Sequence, residues 1–97
     1  MIGQDRAADG TALLRLSGEL DINTRDDLRE ALVAAVGTGD VVIDLDEVTF
    51  IDSEALGALI EGYNAARANG TGFRLINAHG LVDRVLSVSG VLDIFGS

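Results

Sequence analysis

The chain has 97 residues, of which 47% are hydrophobic and 24% are charged, and this length predicts one domain over residues 1–97. Sixteen acidic side chains against seven arginines and no lysine give a net charge of −9, which excludes a basic surface for nucleic acid or for an anionic membrane. The absence of cysteine excludes disulfides and thiolate metal sites, and no apolar run approaches the roughly 20 residues of a membrane helix.

Two segments near the N-terminus predict neighbouring strands. Residues Thr11–Ser17 form a mostly apolar run between two glycines, which is typical of a strand. Residues Met1–Arg6 predict an edge strand that pairs with this run through a turn at Ala8-Asp9-Gly10. The same N-terminal residues lack the basic and apolar regions of a signal peptide, so we expect a cytoplasmic protein.

A helix and a central strand are predicted next. Thr24 is the predicted N-cap of the helix, and Gly37 and Gly39 end it. Its apolar side chains recur at positions i, i+3, i+4 and i+7, and they are Leu28, Ala31, Leu32 and Ala35. The β-branched run Val41–Leu45 then predicts a buried central strand.

The second helix shows the same apolar spacing. Ser53 is its predicted N-cap, and Asn69-Gly70 ends it. The apolar stripe consists of Leu56, Leu59, Ile60 and Tyr63. A glycine inside a helix costs about 1 kcal/mol relative to alanine. Gly57 therefore indicates either a close approach at that turn or a helix start that must stay accessible, and Gly62 indicates the same less sharply.

The last elements complete an α/β order. Phe73–Ile76 predicts a strand, and Ile94-Phe95 predicts a last short strand. Between them a third helix ends near Gly90, with Leu81, Val82, Val85 and Leu86 as its apolar residues. We expect a mixed central sheet of four to five strands with three to four helices. The predicted core residues are Leu28, Leu32, Val42, Ile43, Leu56, Leu59, Ile60, Leu75, Val85 and Leu86.

Candidate catalytic residues are few. His79 is the only histidine, and without a cysteine nucleophile or a metal cluster it is better interpreted as a loop or cap residue. Carboxylates cluster at and after the central strand, and they are Asp44, Asp46, Glu47, Asp52 and Glu54. A Mg²⁺-dependent phosphotransfer domain that uses Asp44 or Asp52 is one hypothesis. Receiver domains, however, use a lysine, which this chain lacks, so we expect no catalytic residue, metal or cofactor.

Three segments carry a set of motifs in register. Leu16–Asp21 reads L-S-G-E-L-D, and the hydrophobic strand Val42–Leu45 is followed by Val48–Ser53, which ends in Asp-Ser. Val85–Val91 ends a helix with Ser-Gly-Val. Together they resemble the motifs of the STAS-domain family, and within it those of the stand-alone bacterial anti-sigma factor antagonists. The resemblance covers nearly the whole chain and implies a STAS-type fold.

The resemblance also implies a function and a site. A member of this kind binds an anti-sigma factor, usually a GHKL-type serine kinase, and so frees a sigma factor. The kinase phosphorylates a hydroxyl at the start of the second helix, here Ser53, and a PP2C-type phosphatase removes the phosphate. Such a protein is a regulatory switch and not an enzyme. The implied partner-binding residues are Asp21, Asn23, Asp52, Ser53, Glu54 and Gly57.

Two departures from the family pattern leave alternatives open. Glu54 stands where relatives carry a second hydroxyl, and Ala55 stands where they usually carry glycine. If the acceptor belongs at the second position, Glu54 imitates a permanent negative charge; if it belongs at the first, Ser53 is intact. The alternative function is a non-transcriptional STAS subunit that binds an ATPase of a lipid-transport complex regardless of phosphorylation. The sequence identifies neither the sigma factor nor the oligomeric state.

Overall fold

Strands and helices alternate along most of the chain. The computed structural model describes residues 2–95. The elements in chain order are β1 (Ile2–Arg6), β2 (Ala12–Leu20), α1 (Arg25–Val36), β3 (Val41–Ile51), α2 (Ser53–Asn69), β4 (Phe73–Ile76), α3 (Gly80–Val88) and α4 (Val91–Ile94). This order confirms the predicted α/β fold with a mixed sheet, while the single domain over residues 1–97 stays a prediction.

The four strands form one sheet in the order β1-β2-β3-β4. β1 runs antiparallel to β2, with Ile2 opposite Leu16, which confirms the predicted edge strand except for Met1, which lies outside the described residues. β2, β3 and β4 are mutually parallel. Because parallel strands end at the same edge of a sheet, the loops that follow β2 and β3 lie side by side.

The core lies on one face of the sheet, because successive side chains of a strand point to opposite faces. The buried strand residues are Ala12, Leu14, Leu16, Leu20, Val41, Ile43, Leu45, Val48, Ile51 and Phe73. Helices α1 and α2 contribute the buried side chains of Leu28, Leu32, Leu56 and Leu59 to the same cluster. On the other face Val42 is half-buried and Arg15 is exposed, so within residues 2–95 this face is the more open of the two.

Most of the predicted core is confirmed. The predicted residues that are buried are Leu28, Leu32, Ile43, Leu56, Leu59 and Leu86. Val42 is half-buried because it points to the other face of the sheet, so the prediction that it is a core residue was wrong. Ile60, Leu75 and Val85 are half-buried and pack against the margin of the core.

Two predicted boundaries differ from the structure. Ile94-Phe95 is not a strand, because the chain there forms the one-turn helix α4, which brings Val91 and Phe95 to the same side and buries both. The Phe95 ring packs 4.9 Å from the ring of Tyr63. β3 extends to Ile51, so Asp46 and Glu47 are exposed strand residues and not a loop. In the described part of the chain, every helix is too short or too polar to cross a bilayer.

Candidate functional site

The candidate site lies where the loops after β2 and β3 meet. Leu20 and Ile51 are partners in the parallel register, and the next residue, Asp52, donates its backbone N–H to the Leu20 carbonyl at 3.1 Å. This bond holds the start of α2 against the loop that leads to α1. The structure therefore brings Asp21, from the first loop, next to the Asp-Ser segment of the second.

The loop before α1 is fixed by its own side chains. The Asp21 carboxylate accepts the backbone N–H of Asn23 at 2.9 Å, and the Thr24 hydroxyl accepts the backbone N–H of Asp21 at 2.9 Å. Thr24 occupies the predicted N-cap position, but its hydroxyl bonds the loop and makes no capping bond to the helix. Asp21 is half-buried and Asn23 is exposed, so both candidate residues present polar groups on an ordered loop.

The N-cap of α2 is Asp52, and the prediction of Ser53 was wrong. Asp52 has an extended backbone with ψ −179°, and its carboxylate accepts the backbone N–H of Ala55 at 3.0 Å. An N-cap side chain has to reach a donor two or three residues ahead from outside the helix, and Asp52 stands at that position. Ser53 is the first helical residue and is exposed. Within residues 2–95 its hydroxyl makes no hydrogen bond, so the fold does not use it.

Glu54 carries a charge that the protein itself neutralises. Nη1 of Arg25, the first residue of α1, lies 3.2 Å from Oε2 of Glu54, and Nε of Arg25 lies 3.3 Å from Oδ1 of Asp26. The hydrogen bond to Asp26, followed by the one to Glu54, raises the pKa of Arg25 above its ordinary value. Sequence reasoning missed Arg25, because its partner Glu54 is 29 residues away in the chain.

The two glycines of α2 differ in their surroundings. A Cβ atom placed on Gly57 has no atom within 4 Å outside its own helix turn, so nothing in the described protein requires a glycine there. A Cβ atom on Gly62 would lie 3.1 Å from a ring carbon of Phe73 and 3.3 Å from Leu32. Gly62 is therefore explained by internal packing, and Gly57 is not.

Exposed apolar side chains also lie near the two loops. Ile22 is 56% exposed and directly follows Asp21, and Phe50 is 37% exposed near the end of β3. Neither was singled out from the sequence. The signal for Ile22 was available, because it is an isolated apolar residue in the polar segment between β2 and α1.

Two of the other acidic candidates, Asp44 and Asp46, have structural contacts elsewhere. Asp44 accepts a hydrogen bond from the side-chain amide of Asn77 at 3.1 Å, and Nε2 of His79 lies 2.7 Å from the carbonyl oxygen of Asp46. Both contacts tie β3 to the loop after β4. Across residues 2–95, no three histidine, aspartate or glutamate side chains are placed together to hold a metal ion.

Comparisons with known proteins agree on one family. A family model described as "Mlab, STAS domain" matches residues 4–95. A protein named anti-sigma F factor antagonist, from Paenibacillus polymyxa, is 31% identical over 88 residues, which are 88% of this chain and 75% of that protein. A protein named anti-sigma-B factor antagonist, from Staphylococcus epidermidis, is 29% identical over 84% of this chain and 77% of its own length. The crystal structure of an anti-sigma factor antagonist from Mycobacterium paratuberculosis superposes with a TM-score of 0.87 at 28% identity, covering 98% of this chain and 81% of that one.

Proposed function

The chain belongs to the STAS domain family, and from this premise we propose that it is an anti-sigma factor antagonist. Its partner is an anti-sigma factor, and binding of that partner frees a sigma factor for transcription. The protein acts by occupying a surface of its partner, so it is a regulatory protein of the bacterial cytoplasm and not a catalyst.

The observation that carries the proposal is the pairing of Ser53 with Gly57 on the first turns of α2. Ser53 is exposed at the first helical position, and the cap bond comes from Asp52, so the Ser53 hydroxyl is available to another protein. Gly57 leaves the next turn bare of side chain, although a glycine there costs about 1 kcal/mol of helix stability. A docking surface explains both features, because a partner gains closer contact with the backbone where no side chain intervenes.

The docking surface combines this turn with the neighbouring loop. Asp52 bonds Leu20, the residue before Asp21, and the Asp21 carboxylate in turn accepts the backbone N–H of Asn23, so the three polar residues belong to two joined loops. The surface carries carboxylates on a chain of net charge −9, which favours a partner with a basic face. Ile22 and Phe50 supply exposed apolar contacts nearby, and apolar anchors within a polar rim are the usual composition of a protein interface.

Phosphorylation of Ser53 is the proposed switch. A phosphoryl group adds a charge of about −1.5 to −2 at neutral pH. Such a charge is tolerated at a helix start, but an unpaired charge inside a packed interface opposes binding by several kcal/mol. Since about 1.4 kcal/mol corresponds to a tenfold change in affinity, the modification releases the partner. The partner is then a GHKL-type serine kinase, and a PP2C-type phosphatase restores the binding form.

The test pairs the purified protein with the proposed partner, an anti-sigma factor of the GHKL kinase type. Calorimetry with ADP measures binding, and phosphosite mapping after addition of ATP identifies the modified residue. We expect Ser53→Ala to bind and to resist phosphorylation, whereas Ser87→Ala, at an exposed serine of α3, should behave as the wild type in both assays. Absence of binding, or a phosphate at another residue, contradicts the proposal.

A second candidate function does not depend on phosphorylation, and the loss of the second hydroxyl of the family pattern favours it. Glu54 stands at that position and is held by Arg25, and Ala55 carries no hydroxyl, so Ser53 is the only hydroxyl within the first turn of α2. A STAS subunit that binds an ATPase of a lipid-transport complex needs no acceptor at all. Ser53→Asp distinguishes the two functions, because it should weaken binding to an anti-sigma factor and leave binding to such an ATPase unchanged.

A further inference from the structure

We infer that Arg25 is an internal receptor for a phosphoryl group on Ser53, so that phosphorylation exchanges the Arg25–Glu54 ion pair for an Arg25–phosphoserine pair. The inference rests on the proposed phosphorylation of Ser53. Arg25, a residue of α1, thereby becomes part of the switch. The chain itself then responds to phosphorylation by exchanging an ion pair, in addition to any effect on its partner.

The guanidinium of Arg25 lies close to the start of α2. Arg25 begins α1, and its Nη1 lies 3.2 Å from Oε2 of Glu54 at the start of α2. The Arg25 side chain is 30% exposed, so its head lies near the surface between the two helix starts. It is thus placed to meet an anion that projects from the first turn of α2.

Arg25 has to reach Ser53 from its position beside Glu54. Ser53 and Glu54 are neighbours in the chain, so their Cα atoms are about 3.8 Å apart. A phosphoryl group on the Ser53 hydroxyl extends about as far from the backbone as the carboxylate of Glu54 does. Because successive side chains of a helix point about 100° apart, the proposed exchange requires the Arg25 side chain to change rotamer and swing from Glu54 towards Ser53.

Phosphorylation of Ser53 would add negative charge to a segment that is already acidic. A phosphoryl group on Ser53 would stand between the carboxylates of Asp52 and Glu54, and such close like charges repel each other. Among the ion pairs described for residues 2–95, Arg25 provides the one that reaches a chain neighbour of Ser53. Phosphate attracts a guanidinium more strongly than a carboxylate does, because it carries more charge and offers bidentate acceptor oxygens. The exchange of partners follows, and it releases Glu54 as an unpaired carboxylate.

The chain offers a matched control for this role. Arg29 also lies on α1 and also pairs with an acid of α2, since its Nε is 2.8 Å from Oε2 of Glu61. This pair is further along both helices, away from Ser53. Arg25→Gln and Arg29→Gln therefore each remove one ion pair between α1 and α2, but only the first removes the proposed receptor.

The test needs neither kinase nor partner. Phosphoserine is placed at position 53 during translation by an expanded genetic code, and ³¹P NMR follows the phosphate through a pH titration. We expect the second pKa of the phosphate to be higher in Arg25→Gln than in the otherwise unchanged chain by about 0.5 or more, because a nearby cation favours the dianion. Arg25→Lys should lie between them, and Arg29→Gln should stay within about 0.2 of the unchanged chain.

Equal phosphate pKa values in the Arg25→Gln and Arg29→Gln proteins would overturn the inference. Amide spectra of each variant check the fold, and Arg25→Lys keeps the charge if the glutamine variant fails to fold. Because the phosphate is installed directly, this result does not depend on antagonism of any sigma regulator. Failure of kinase binding would instead contradict the proposed function and would leave the titration result standing.

Discussion

The two glycines of α2 lie in opposite surroundings, one filled and one open. Gly62 lies where α2 crosses Leu32 of α1 and Phe73 of β4, and a Cβ atom there would come within 3.3 Å of both. Gly57 lies nearer the helix start, where a Cβ atom would meet nothing within 4 Å. The same residue type thus allows internal packing at one position and leaves a bare surface at the other. The core face of α2, which runs from Ala55 to Ala66, is filled from within, whereas the face that carries Gly57 is open.

The largest expected effect comes from adding a side chain at the packed position, Gly62. Gly62→Val should lower the free energy of unfolding by about 2 kcal/mol, because the added methyl groups overlap Leu32 and Phe73 in a filled core. Gly57→Val is the matched control and should change it by less than about 0.5 kcal/mol. Urea unfolding of the two variants measures both. A loss of similar size at Gly57 would mean that this turn is also packed from within.

A smaller effect distinguishes Asp52 from Ser53 at the start of α2. Asp52→Ala removes the side chain that accepts the Ala55 N–H, and loss of an N-cap typically costs about 1 kcal/mol of stability. Ser53→Ala should change stability by less than about 0.5 kcal/mol, since the Ser53 side chain is exposed and makes no cap bond. Thermal unfolding compares the two neighbours. The reverse order of effects would restore Ser53 as the cap.

The smallest effect concerns the ion pairs between α1 and α2. Arg29→Gln should lower stability by about 0.5 kcal/mol or less, because surface pairs contribute little. Although Nε of Arg29 lies 2.8 Å from Glu61, its N–H is not aligned for a hydrogen bond, which weakens the contact further. Arg25→Gln should be equally mild in stability, so that any larger effect on the phosphorylated protein belongs to the switch. Chemical denaturation of both variants checks this equality.

Local pattern predicted most of the fold for a physical reason. The stripes led by Leu28 and Leu56 follow the period of a helix, and burial of those stripes stabilises the elements that carry them. The prediction failed where two local solutions were equally good. Asp52 and Ser53 are both favourable caps, and only the backbone turn at Asp52 decides between them. Ile94 and Phe95 are apolar enough for a strand, but the chain forms a helical turn there, in which the Phe95 ring packs against Tyr63 and Phe73.

The candidate site was predictable only in part. Asp21, Asp52 and Ser53 were found through motifs, and the parallel strands bring them together. Arg25 was not predictable, because its pairing with Glu54 depends on how α1 and α2 pack. The meaning of Gly57 also required the structure, since the sequence indicates an unfavourable residue but not whether its surroundings are filled or open.

If Gly57 lacks a side chain because a partner docks there, Gly57→Ala should strengthen the helix and weaken partner binding at the same time. On the same purified protein, we expect the free energy of unfolding to rise by about 1 kcal/mol, because alanine favours the helix. We expect the affinity for the anti-sigma factor to fall by about tenfold or more, or about 1.4 kcal/mol, because the new methyl group keeps the partner from the backbone. Asn64→Ala, at an exposed position of the same helix, should gain stability without losing affinity. An affinity of Gly57→Ala equal to that of the wild type would contradict the account.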